Sequence, residues 1–415
     1  MFSSRIILLL AWRNVWRNRR RTVLTLLTIM IGAAMIVFLN AMARGGHDQM
    51  IEDAAALNTG HIQIHEKGFQ DNQTIDYAFI PSDDLIRFLD EHPDIQGRAP
   101  RVLAGGLLAF EDNTRGVMIQ GIDPEEEINV SDLYRKILPG GRYLSAEDSL
   151  SVIMGKTLAD NAGVAVGDSI ALISQGFDGS IAADRFVVEG LFVTGNPEYD
   201  RNLVLMPLSQ AQETFTMMGH IHTMALRLSE AGRTDAVKAG ILDQVANAPY
   251  PLEVLGWDEL MPELVQFIVM DDIGGWIFDG MLFLVVAFGI LNTIQMSVFE
   301  RTREFGIMLS IGTRPAAISG MILVESMAIA VMGIVLGAAL GGGVSLYFEY
   351  NPLDYSRFSE EIAVWGMTTT VYPAIATKLN ILATSATIFV LAVLFSLLPA
   401  RRAARLNPVD AIRKL

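Results

Sequence analysis

The sequence predicts a membrane protein: four transmembrane helices in a 1 + 3 arrangement and a large α+β outer domain of two subdomains, one of repeated β-α-β units and one β-rich. Four apolar runs, their uneven spacing and a sharp charge asymmetry predict it. The runs lie at about Thr22–Ala43, Ile273–Phe299, Ile318–Tyr347 and Ile381–Ala400. A hydrocarbon core ~30 Å thick needs about 20 apolar residues per helix, and each run reaches that length. Between the first run and the other three lies a long polar stretch, residues 44–270. A sizeable soluble domain therefore hangs from a small helix bundle.

Charge sets the orientation. Residues 1–21 contain Arg5, Arg13, Arg17, Arg19, Arg20 and Arg21 and no acid. The turn after the second run carries Arg301, Arg303 and Arg314, and the tail carries Arg401, Arg402, Arg405, Arg413 and Lys414. Residues 44–270 instead hold 15 Lys+Arg against 35 Asp+Glu, within a chain of net charge −15. Lys and Arg close to membrane spans mark the cytoplasmic side, so both termini and the turn are expected inside and the acidic domain outside. That acidity also argues against a nucleic-acid partner. The absence of cysteine fits an envelope domain, although absence alone fixes no compartment.

In order, the chain divides into an interfacial segment (1–21), a first transmembrane helix (22–43), the outer domain (44–270, with a β-rich insert at about 111–205) and a second helix (271–299). A cytoplasmic segment (300–314), a third helix (315–347), an outer loop (348–380), a fourth helix (381–400) and a cytoplasmic tail (401–415) follow. Arg5–Arg21, with Trp12 and Trp16 among its arginines, reads as an amphipathic helix at the membrane interface. Ala41-Met42-Ala43 resembles a signal-peptide cleavage site, but the apolar run is longer than a signal core and three more runs hold the chain in the membrane.

Within the outer domain, Gly60–His65 alternates, with Ile62 and Ile64 on one face. Ser82 is placed to cap a helix bearing Leu85, Ile86 and Leu89, and Arg101–Phe110 reads as the next strand. The order repeats as a strand at His222–Leu228, a helix at Thr234–Ala246 and a strand at Leu252–Leu255. Short β-like runs in the insert are Gly116–Ile122, Ser151–Ile153, Ser169–Ile173 and Phe186–Thr194.

His61-x-x-x-His65 and His220-x-His222 have metal-pair spacing, but no carboxylate or cysteine follows at ligand spacing. The preferred reading is the polar faces of half-exposed strands. Gly155-Lys156-Thr157 ends like a phosphate-binding loop, but the glycine needed five positions earlier is Leu150. No nucleophile–base pair or metal motif supports catalysis, so the chain reads as non-enzymatic with no cofactor of its own.

In the third run, Gly333, Gly337 and Gly341 form a smooth stripe that lets a helix approach closely. Packing within the chain and a dimer contact are both open. Asn40, Asp279, Asn292, Gln295 and Glu325 lie in or beside the runs. They are too scattered for a proton relay and are expected to form helix–helix hydrogen bonds. The turn FERTREFGIMLSIGTRPAAI (299–318) sets an apolar stretch among charges, which suits a docking surface for a cytoplasmic partner.

ERTREFGIMLSIGTRPAAI in this turn resembles the E-R-x-x-E-[IF]-G-[IV]-x-x-x-x-G motif of MacB/FtsX-type ABC transporter permeases. PARRAARLNPVDAIRKL at the tail is similar to that family's closing motif. GHIQIHEKGF, VMIQGIDPEEE and VIMGKTLADNAGVAVGDSI resemble its periplasmic core. The resemblance implies a permease subunit of a bacterial inner membrane, dimeric with itself or a second permease, working with two copies of a cytoplasmic ATPase that carry the ATP and Mg. It implies an ATPase-coupling segment with Arg303, Glu304, Phe305, Gly306, Ile307, Leu309 and Gly312, in which Phe305, Ile307 and Leu309 pack on the ATPase and Glu304 makes polar contacts. Motion would be relayed to the periplasmic domain, a mode called mechanotransmission.

Size and layout look most similar to the lipoprotein-releasing (Lol-type) permeases. That likeness implies a lipoprotein or lipid substrate entering a cavity lined by Phe38, Met42, Phe278, Met281, Leu282 and Val285, with a periplasmic carrier or adaptor as a further partner. The stretch matching the carrier-holding hook, Ser174–Arg185, is short and Gly-rich, which puts the carrier in doubt. The alternatives are a MacB-like export pump subunit and an FtsX-like transmembrane regulator of envelope enzymes.

Overall fold

The computed structural model describes residues 16–246, 248–358 and 369–413 and divides into two compact units. Most of the expected interfacial helix and the middle of the 348–380 loop lie outside the described residues. The principal helices are α1 (Arg19–Ala54), α2 (Asp83–Glu91), α3 (Thr234–Val245), α4 (Pro262–Glu300), α5 (Thr302–Ser310), α6 (Pro315–Tyr350), α7 (Lys378–Ala404) and α8 (Pro408–Arg413). The strands of the sheet domain are β1 (Ile62–Glu66), β2 (Ile95–Phe110), β3 (Asn113–Ile122), β4 (Ser151–Gly155), β5 (Ser169–Gln175), β6 (Ile181–Phe192), β7 (Leu203–Pro207), β8 (Thr223–Leu228) and β9 (Leu252–Gly256).

In the sheet domain the nine strands run in the order β3-β7-β4-β6-β5-β2-β8-β1-β9, and β3 pairs again with β2. That last pairing closes six strands into a ring, which removes their exposed edges. The long strand β2 belongs to both parts of the sheet. Its C-terminal half pairs with β3 and β5, and its N-terminal half, Ile95–Arg101, pairs with β8. The dividing line thus runs along one strand, so the expected β-rich insert borrows half of β2 from the flanking segment. Leu108, Ile119, Val152, Ile170, Phe186 and Val204 fill the ring. A second apolar cluster lies where Ile62, Ile64, Met224 and Leu226 of the flanking strands meet Leu85 and Leu89 of α2 and Val237 and Ile241 of α3. The Ser82 hydroxyl accepts from Leu85 N at 3.3 Å and starts α2.

The histidine reading needs correction. His61, His65 and His222 are fully buried, because β1 lies between β8 and β9 and the strands are covered on both faces. The His61 and His222 rings fill gaps in the backbone hydrogen bonding. His61 Nδ1 accepts from Leu228 N at 3.1 Å, and His222 Nδ1 accepts from Leu103 N at 2.9 Å. Burial pushes the His222 imidazole down to about 4 and lowers His65 as well. The stretch Ser174–Arg185 is the end of the β5–β6 hairpin, closed by Gly176 N on Ser180 O at 2.8 Å.

Among the described residues of the helical unit, four helices are long and apolar enough to cross a membrane. α1 runs through Ala41–Ala43 without a break and ends at Ala54. At 1.5 Å per residue, α4 reaches ~58 Å, about twice the hydrocarbon thickness. Gly333 of α6 lies against Ile29 of α1, and a Cβ on Gly337 would come within 2.6 Å of Ala33 Cβ. A Cβ on Gly341 would come within 2.7 Å of Ala34 O. The glycine stripe is therefore the groove that receives α1 of the same chain. Thr25 Oγ1 donates to Thr293 Oγ1 at 2.7 Å and Asn40 Nδ2 to Asp279 Oδ2 at 2.9 Å, two of the hydrogen bonds joining α1 to α4. Asn292 is exposed and Gln295 half-buried, with no side-chain hydrogen bond among the described residues.

Candidate functional site

The turn between α4 and α6 folds as the short helix α5. Its C-terminus is closed by Gly312 at φ +93°, a left-handed position that favours glycine. Thr313 N donates to Met308 O and Gly312 N to Leu309 O, each at 3.0 Å, which satisfies two carbonyls left open by the last turn. Pro315 then stands at the first position of α6, where its missing N–H costs nothing. The sequence Gly-Thr-Arg-Pro thus reverses the chain in a fixed geometry.

One face of α5 is inward. Phe305 is 1% exposed and belongs to the bundle core, with Met308 and Leu309 partly buried beside it. Gly306 is buried too. The expectation that Phe305 packs on an ATPase is therefore corrected: it anchors α5 to its own chain. Leu309 is half-turned away from any partner. The opposite face presents Ile307 and Arg303, and Ile311 beyond the last turn is 79% exposed. Arg314 is exposed beside them. α8 lies alongside α5, with Ala411 buried, while Ala400 and Ala403 of α7 pack in the same core. The tail motif is thus a packing motif that backs the turn.

Charged side chains brace the same end. Arg17 Nη2 donates to Glu304 Oε1 at 2.7 Å, and Arg301 Nε donates to Glu304 Oε2 at 3.1 Å. Arg301 also reaches Glu325 of α6 at 3.0 Å, and its guanidinium lies 5.1 Å from the centre of the Phe305 ring. Arg21 pairs with Glu300 at 2.7 Å. The hydrogen bonds from Arg17 and Arg301 hold the Glu304 carboxyl below the usual range. Glu304, expected to make polar contacts with a partner, is engaged within the chain. Sequence reasoning missed Arg17, Arg301 and Glu325 in this role. The signal was a carboxylate, Glu325, inside an apolar run, which calls for a cation nearby.

The residues expected to line a substrate cavity separate into two groups. Phe278, Met281 and Val285 recur along one outward face of α4, and all three are exposed. Leu282 faces the bundle core. Phe38 and Met42 of α1 are half-buried, and the Phe38 ring lies 5.6 Å from that of Phe348. The structure does not bring the six together in one chain.

The family model for the MacB-like periplasmic core domain matches residues 22–244, and that for the FtsX-like permease C-terminal domain matches residues 276–408. The macrolide export ATP-binding/permease protein MacB of Neisseria meningitidis serogroup A is 25% identical over 96% of this chain. The chain spans 59% of the length of that relative. The lipoprotein-releasing system transmembrane protein LolC of Neisseria meningitidis serogroup B is 24% identical over 94% of both chains. The crystal structure of the periplasmic region of MacB from Actinobacillus actinomycetemcomitans superposes on half of this chain with 14% identity, covering 94% of that region at a TM-score of 0.37, too loose to carry the fold. With its sheet domain and its C-terminal helices both matched, the chain belongs to the MacB/FtsX-type family of ABC transporter permeases.

Proposed function

We propose that this permease transmits ATP-driven motion from a separate cytoplasmic ATPase to its sheet domain. The observation that carries the reading is α5: a short helix clamped inward by Phe305 and the Arg17–Glu304–Arg301 network, yet showing Ile307, Ile311, Arg303 and Arg314 outward. An apolar pair ringed by cations suits insertion into a cleft on another protein. ATPase closure would push α5, and the helices continuous with that end would carry the push. The chain would act as a dimer, with itself or a second permease, in an inner membrane with the sheet domain outside.

The cargo we propose is a lipoprotein or lipid. The outward stripe Phe278, Met281 and Val285 offers flexible apolar side chains to acyl groups. Extraction needs energy input, since burying an acyl chain is worth ~0.8 kcal/mol per CH₂. The MacB relatives support a second reading equally, export of a substrate presented on the outer side. A photocrosslinker at Met281 separates the two in cells. Capture of acylated protein or lipid supports extraction; labelling of soluble cargo alone, with no lipid or lipoprotein, discards it.

A further inference from the structure

The sheet domain contains a cleft of about 280 Å³ that the transport reading does not use. Its polar wall is largely carboxamide: Asn58, Gln63, Gln70, Gln73 and Gln120. Leu103 and Met118 give it an apolar patch. Arg101 lies at its base, but its charge is already answered. Glu127 takes the guanidinium at 2.6 and 3.0 Å, and the Asn58 carbonyl takes a third bond. The guanidinium therefore has little pull on a free anion.

Apart from the exposed carboxylate of Glu198, the cleft's spare hydrogen-bonding groups are neutral. Thr223 is 2% exposed, lines the cleft, and its hydroxyl has no partner among the described residues. A buried hydroxyl without a partner costs stability, so such a group marks a place for a ligand atom. Asn58 and Gln120 bond to each other at 3.1 and 3.3 Å and keep further donors and acceptors free. Gln70 and Gln73 make no side-chain hydrogen bond among the described residues.

We propose that this cleft binds a neutral polyhydroxyl ligand the size of a single sugar ring. A hydroxyl both donates and accepts through one atom, and a carboxamide offers a donor and an acceptor side by side, so the two match without charge. The Leu103–Met118 patch suits the C–H face of a pyranose. The volume lies near the lower bound of ~300–1,000 Å³ for small-molecule sites, the scale of one ring. The lining also includes Asn58 and Thr59, which follow α1, and Leu260, which precedes α4.

The test titrates the full chain in lipid nanodiscs with glucose and N-acetylglucosamine, read by saturation-transfer NMR. Saturable, millimolar binding of at least one sugar is expected. Q70A/Q73A should weaken it roughly tenfold with an unchanged melting midpoint, because neither side chain is bonded internally. T223V should weaken it roughly three- to tenfold, and its fold should hold because the hydroxyl has no partner to lose. No saturable transfer to either sugar would mean a cleft filled by water alone and overturn the proposal. So would unchanged affinity in both variants, or displacement of the sugar by inorganic phosphate at equal concentration, which would mark an anion site.

Discussion

In the sheet domain the charged pair Arg101–Glu127 is sealed in the interior, with side-chain exposures of 2% and 4%. In the helix bundle the ion pairs Arg17–Glu304, Arg21–Glu300 and Arg301–Glu325 gather at the α5 end, and Trp276, Met281, Val285 and Tyr347 point outward. The difference teaches that the two units answer to different solvents. A domain in water covers its apolar faces and may bury a charge only with its partner. A helix in lipid has no reason to turn leucine or phenylalanine inward, so its specificity comes from close fit and a few polar contacts. Exposure of apolar residues is thus expected along α4 but calls for a partner on α5, a nine-residue helix too short to span a membrane.

That contrast can be broken by mutation. The largest expected effect is R101A, which leaves the Glu127 carboxylate buried and unpaired. It should destabilise the sheet domain by about 3–5 kcal/mol, read as loss of its cooperative denaturant transition, and R101M/E127L should recover most of that loss. Next comes acid. Folded His222 titrates near 4, below about 6.5 for an unfolded histidine, so the unfolded chain binds the extra proton as pH falls. Stability should be full above pH 6.5 and decline toward pH 4 by up to about 3 kcal/mol, while H222Q should flatten that slope. A midpoint independent of pH across this range would refute the buried neutral ring.

In the bundle, G337V forces a side chain into Ala33 and Met30 of α1 and should cost about 1–3 kcal/mol, seen as a lower melting midpoint in detergent. Equal stability would mean that α1 does not occupy this groove. The smallest effect is R17A. Its partner is the half-exposed Glu304, so the loss should stay below about 1 kcal/mol and shrink further at high salt. A larger loss would mean that the end of the bundle behaves like the interior of the sheet domain.

Much of this was legible in the chain because it rests on local pattern. Twenty-residue apolar runs gave the long helices, alternation at Ile62 and Ile64 gave a strand, and Ser82 gave a cap. What was illegible depends on distant segments meeting. Nothing near His61, His65 or His222 reveals strands that cover them, and Glu127 lies 26 residues from Arg101. β2 and β3 form a local hairpin, but the ring also needs β3 on β7 and β2 on β5, pairings between distant segments that no single segment encodes. β7 was missed although Leu203–Pro207 is a short continuous apolar run, a pattern that fits buried strand and buried helix alike. α5 is the instructive case. Phe305, Met308 and Leu309 fall at i, i+3 and i+4, whereas Ile307 and Ile311 fall four apart on another face. That spacing alone separates anchor from docking surface.

The central claim is that the outward face of α5 engages an ATPase. The direct measurement is ATPase activity of the partner subunit reconstituted with this permease in nanodiscs, comparing the wild type with I307D/I311D. The account predicts that the double variant remains folded, because both side chains face away from the core, and loses association and permease-dependent change in ATP turnover. Undiminished co-purification and turnover in I307D/I311D would contradict it.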